Sequence, residues 1–113
     1  MKNLIIFLFA GLLQNSSANL QAYVGQCVFP RHAVADDGNL RFAAEIPIFR
    51  TASAAGEPSI LQVFAPFKIA EVDNGLIQLL EVPGSDHENP LAGRPLGWAH
   101  PSDFEEEDPR NCL

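Results

Sequence analysis

The sequence predicts a small all-β domain behind an export leader, with a one-turn helix near its C-terminus, and three observations carry that prediction. Nine prolines, at 30, 47, 58, 66, 83, 90, 95, 101 and 109, interrupt nearly every stretch long enough for a helix. The runs between them are short and rich in Ile, Leu, Val and Phe, as strands require. Two strong turn signals, Asp36-Asp37-Gly38-Asn39 and Asp73-Asn74-Gly75, punctuate them. The chain has no internal repeat and no low-complexity segment.

Residues 1–18 read as a cleaved signal peptide. Lys2 supplies the positive start, and Leu4 to Leu13 form an unbroken apolar run. Small residues Ser16 and Ala18 place cleavage before Asn19. A spanning helix needs about 20 apolar residues, and this run is half that length. Gln26, ahead of Cys27, is too bulky for a lipidation signal. The expected location is therefore exported, periplasmic or extracellular, with no membrane insertion after cleavage.

Residues 19–113 suffice for one small domain. A core of that size gives a few kcal/mol of net stability, and small exported domains often add a covalent staple. The chain has two cysteines, Cys27 and Cys112, near the ends of the mature sequence, and a disulfide between them is expected. Closing a loop of about 85 residues stabilises by roughly 4.5 kcal/mol in the chain-entropy model. Intermolecular pairing, or Cys27 as a nucleophile with His32 or His100 as base, is the weaker reading.

The formal net charge is −7, and losing Lys2 with the leader makes it one unit more negative. The remaining basic residues, Arg31, Arg41, Arg50, Lys68, Arg94 and Arg110, are scattered. That disfavours nucleic acid and anionic membranes, which recruit clustered Lys and Arg. Solubility explains the charge simply; a basic partner is the sharper reading.

Along the mature chain, Ala22–Phe29 reads as a first strand or extended lead-in, within an N-terminal segment 19–39 that holds Cys27. Leu40–Arg50 follows the first turn as extended chain, with Pro47 marking a bulge or edge. Thr51–Ser59 is a small-residue loop. Ile60–Phe64 and Pro66–Val72 are strands, and Asn74-Gly75 suits the positive φ of a tight hairpin. Leu76–Val82 is the next strand, apolar enough to be covered on both faces. Residues 83–95 form a long polar loop, and Leu96–His100 is the last core strand. Pro101–Glu105 reads as one helical turn, with Ser102 as cap and Glu105 completing a capping box. Residues 105–113 are an acidic tail that returns Cys112 to the body.

These pieces resemble, in order, a bacterial SH3-like (SH3b) domain. An extended segment runs into a variable loop at Ile46-Pro47-Ile48-Phe49-Arg50-Thr51-Ala52-Ser53. The strand Pro66-Phe67-Lys68-Ile69-Ala70-Glu71-Val72, the turn Asp73-Asn74-Gly75 and the strand Leu76–Val82 follow. Gly97-Trp98-Ala99-His100-Pro101-Ser102-Asp103-Phe104 is similar to the family's closing signature, with its single helical turn. The resemblance spans 40–104 and implies a small SH3-like β-barrel there, closing around Trp98. Two positions depart from the pattern: Leu76 stands where the family usually has Trp, and the 83–95 loop is longer. In this reading Gly97 lets the backbone pass close to a neighbouring strand, and Trp98 adds about 200 Å² of apolar area to a core too small for aliphatics alone.

No G-x-S-x-G, H-E-x-x-H, C-x-x-C or phosphate-binding glycine loop is present. Adjacent residues of Ser85-Asp86-His87-Glu88-Asn89 point to opposite sides in extended chain and do not converge on a metal. The run Glu105 to Asp108 is contiguous, whereas Ca²⁺ needs a spaced, curved set of oxygens. No catalytic residue, metal or cofactor is expected. Tyr23, Phe49, Phe67 and Trp98 are the candidate ligand-binding residues, with Trp98 divided between core and groove.

The expected function is a non-enzymatic binding module, monomeric, recognising a protein or peptide; the family resemblance adds a cell-wall (peptidoglycan) peptide. The alternative is an inhibitor or immunity-type protein that blocks a basic secreted enzyme. A structural subunit of an envelope assembly is a further reading.

Overall fold

A computed structural model of the chain describes residues 20–82 and 93–113. The leader expected at 1–18, with its expected cleavage site, and the Ser85–Asn89 cluster lie outside the described residues.

Construction starts from the turn at Asn74-Gly75. Both residues have positive φ, 53° and 79°, which gives the tight connection expected between two antiparallel strands. The strands it joins, β6 (Phe67–Asp73) and β7 (Leu76–Glu81), are the longest and form the centre of the main sheet. Their register shifts between Ile69 and Glu71, so Ala70 is an extra residue. That bulge returns Val72 to the inward face three residues after Ile69, and both are buried.

Around this hairpin lie β1 (Cys27–Pro30), β8 (Pro95–Ala99) and β9 (Phe104–Glu106). The five-stranded sheet has the order β9-β1-β6-β7-β8, with every neighbouring pair antiparallel. The segment that reads as a lead-in thus supplies an interior strand. It begins with a 3-10 turn, Gln21–Tyr23, held to β6 by Gln21 Nε2 donating to the Val72 carbonyl at 3.1 Å.

Two smaller pairs complete the fold. β2 (His32–Val34) and β3 (Leu40–Phe42) form a hairpin across the Asp36–Asn39 turn. β4 (Pro47–Ile48) pairs with β5 (Ser59–Ile60). The strand expected at Ile60–Phe64 is shortened to Ser59–Ile60, followed by one more backbone bond from the Leu61 N–H to the Ile46 carbonyl at 2.9 Å.

The core cluster is largely aliphatic: Leu20, Val28, Ile46, Ile48, Leu61, Ile69, Val72, Ile77, Leu79 and Ala99, with Phe67 and Phe104. Phe42 and Leu96 pack against it from the surface.

Three expectations are corrected. The described strands do not close into a barrel: β9 and β8 are the two edges of the sheet, and they are not paired with each other. The backbone on the outer side of β8 is taken instead by a single bridge to Phe49. Trp98 is not the centre of the core. Gly97 and Ala99 lie opposite the buried Leu79 and Ile77, so alternation sends Trp98 to the other face, where it is half-buried. Nor does Ser102 cap the helical turn. Pro101 opens a 3-10 turn at Pro101–Asp103 with His100 in the cap position, and Glu105 is drawn into β9 opposite Phe29.

Cys27 and Cys112 are joined in a disulfide, with Cα atoms 5.8 Å apart across 85 residues of chain. Both cysteines are buried, and the bridge ties the interior strand β1 to the final 3-10 turn, Pro109–Cys112. Disulfides persist in oxidising compartments, and this one is consistent with the expected export. Among the described residues no helix is long and apolar enough to cross a membrane.

Candidate functional site

Of the four candidate ligand-binding residues, the fold brings two together. Phe49 donates its N–H to the Trp98 carbonyl and accepts from the Trp98 N–H, at 2.8 Å each. Directly paired residues share a face of the sheet, and so do residues two apart on one strand. Phe49, Trp98 and His100 therefore stand on one side. The Phe49 and His100 rings meet edge to face with centroids 5.5 Å apart.

Gly97 is what admits this arrangement. Its φ is +148°, and a Cβ built there falls 2.5 Å from Ile48 Cγ2 and 2.9 Å from the Phe49 carbonyl oxygen. The β4 chain can lie against β8 only because no side chain stands between them. Asn74 Nδ2 holds the following loop by donating to the Ala52 carbonyl at 3.1 Å. The central hairpin turn thus braces the segment that carries Phe49.

The chemistry of the face is aromatic with hydrogen-bonding groups at hand. Phe49 and Trp98 are half-buried, and His100 is exposed. Neither the Trp98 indole N–H nor the His100 ring nitrogens have a hydrogen-bond partner among the described residues. Across the sheet the row continues through Gln78 to the exposed Glu71. Such a face can stack a planar or apolar group, donate through the indole and meet a cation with a carboxylate.

The other two candidates lie elsewhere. Phe67 is only 1% exposed, and its ring meets Phe104 edge to face inside the core, out of reach of a ligand at the surface. In the sequence an aromatic at a strand start reads alike inside and out. Tyr23, 40% exposed, ends the first 3-10 turn and borders a separate pocket.

One cluster escaped the sequence reading. Phe29, Phe42 and Phe64 converge edge to face, with Phe64 4.9 Å from Phe29 and 5.0 Å from Phe42. His32 joins them, 5.5 Å from Phe29, and its Nδ1 lies 3.0 Å from the Pro30 carbonyl oxygen and 3.6 Å from Glu105 Oε2. Three rings from three distant segments leave no local signal.

The acidic run is dispersed rather than convergent. Glu105 lies beside His32, Glu107 accepts from Asn111 Nδ2 at 3.1 Å, and Asp108 pairs with Arg110 at 2.7 Å. That guanidinium holds the Asp108 carboxyl below its usual range, assisted by the Arg110 backbone N–H. Among the described residues no three His, Cys, Asp or Glu are placed to hold a metal ion. No protein-family model, curated protein or solved structure matches the chain.

Proposed function

We propose that this chain is an exported, non-enzymatic SH3-like module that binds a protein or peptide, a cell-wall peptide included, on the face built by Phe49, Trp98 and His100. The observation that carries the reading is the double hydrogen bond between Phe49 and Trp98, which fixes two aromatics side by side, with an indole donor that has no partner among the described residues. A preorganised aromatic pair binds with little loss of side-chain freedom. The segments that resemble the SH3-like family fall in order on β4, β6, the Asn74-Gly75 turn, β7, β8 and the 3-10 turn, which supports that kinship. The disulfide supports export.

The test is retention of the oxidised protein on purified peptidoglycan and on immobilised envelope proteins. Retention that Trp98→Ala abolishes, with an unchanged melting curve, is the expected result. Equal retention of the variant, or none of either protein, overturns the reading.

A second reading is an inhibitor of a basic secreted enzyme, and one observation favours it. At the end of the β2–β3 hairpin the cross-strand pair Val34 and Leu40 is 69% and 51% exposed, beside the acidic turn residues Asp36 and Asp37. An apolar tip ringed by carboxylates suits a cationic cleft. Association with such an enzyme falls steeply as salt rises; a salt-independent rate contradicts it.

A further inference from the structure

The free edge of the main sheet carries a second, independent set of observations. β9 faces β1 with Glu105 opposite Phe29. The neighbouring bonds, Arg31 N–H to Asp103 O at 3.0 Å and Glu107 N–H to Cys27 O at 2.9 Å, fix which backbone groups point inward. Antiparallel alternation then turns the N–H and C=O of Glu106, and the C=O of Phe104, away from β1. Among the described residues no strand pairs with that outer side.

Beside this edge the inner face of the sheet opens into a pocket of about 390 Å³, with Leu20, Val28, Ile69, Ile77 and Phe104 in its walls. Its size lies within the range of small-ligand sites. Gln26 also lines it, and Gln26 Oε1 is buried with no hydrogen-bond partner among the described residues, while Nε2 reaches the Ala22 carbonyl at 3.4 Å. A buried acceptor left unmade is costly, so a ligand N–H placed there is favoured. Arg31 commits Nε to the Ser102 carbonyl at 2.8 Å, which holds the 3-10 turn against the pocket mouth. Glu105 and Glu106 are exposed at the edge.

We propose that β9 and this pocket form a peptide site distinct from the Trp98 face. An extended segment adds antiparallel to β9 through Glu106 and inserts one apolar side chain into the pocket, with basic residues flanking it. Strand addition takes its affinity from main-chain hydrogen bonds and its specificity from the pocket. The unpaired backbone selects an extended peptide over a compact small molecule. The carboxylates select a basic peptide and disfavour a second copy of this acidic edge.

The test uses the oxidised protein with the blocked pentapeptides Lys-Val-Leu-Val-Lys and Glu-Val-Leu-Val-Glu, followed by amide chemical shifts. The lysine peptide is expected to shift Glu106, Tyr23 and Ile69 and to bind at least tenfold more tightly than the glutamate peptide. Glu106→Pro, which removes the outward N–H together with one edge carboxylate and leaves the bonds to β1 in place, is expected to weaken binding tenfold or more with the melting curve intact. Tyr23→Ala, at the rim, weakens it with no effect on the sheet. Trp98→Ala leaves this binding unchanged, so the two sites succeed or fail separately. No shift at millimolar peptide, shifts confined to the Trp98 face, equal binding by Glu106→Pro, or self-association as the only change overturns the proposal.

Discussion

Gly97 and Ile48 are packed so closely that a Cβ on Gly97 falls 2.5 Å from Ile48 Cγ2. Ile48 belongs to the core, and the next residue, Phe49, makes both bonds to Trp98. The same contact therefore seats a core side chain and positions the proposed binding face.

Gly97→Ala is accordingly expected to destabilise by about 2 kcal/mol or more, from overpacking and from an alanine forced to positive φ. In a domain of this size that lowers the melting temperature by roughly 8–16 °C. The Trp98 emission is expected to move to longer wavelength as β4 is pushed away. An unchanged melt contradicts the close approach.

Replacing both cysteines, Cys27→Ala with Cys112→Ala, is expected to cost about 4–5 kcal/mol, since the bridge closes a loop of 85 residues. Urea denaturation with and without reductant reads this directly. Both cysteines are buried, so reductant added to the native protein should act slowly until unfolding exposes the bond.

Phe64 touches Phe29, Phe42 and His32, so Phe64→Ala is expected to loosen the β2–β3 hairpin at a cost of about 1–2 kcal/mol. Amide exchange should speed up at Ala33 and Arg41 and hardly change in β6 and β7. Equal acceleration in both places contradicts a separate cluster.

Asp108 offers a pH signature. Its carboxyl is held low by Arg110, so it stays ionised below the ordinary aspartate value of about 3.9. Its contribution is present above that value and is lost as pH falls through the lowered one. In a carboxyl titration by NMR, Arg110→Ala moves the Asp108 midpoint upward; an unmoved midpoint contradicts the pairing.

The parts legible in the sequence are those fixed by local chemistry. Asn74-Gly75 announced its hairpin through positive φ, and two cysteines allowed one intramolecular bond. Gly97 marked a close strand approach for the reason now seen. What stayed hidden depends on phase and long-range pairing. Gly97-Trp98-Ala99 has one large residue between two small ones, and size alone argues for Trp98 inward. Ile48 fills the space beside Gly97 instead, and that space is set by a residue 49 positions away. The strand at Phe104–Glu106 was unreadable because acidic residues are poor strand formers until an edge accepts them. Phe49 and Trp98 were each recognisable as aromatics, but only the fold shows that they are bonded to one another.

Trp98 is the only tryptophan in the chain, so its fluorescence reports the proposed face without interference. Titration of the oxidised protein with soluble peptidoglycan peptides, and with an envelope protein it retains, is the most direct measurement. A saturable emission change that Phe49→Ala weakens at least tenfold is the predicted result. Saturable binding that leaves the Trp98 emission untouched, with equal affinity in Phe49→Ala, places recognition elsewhere and contradicts the assignment.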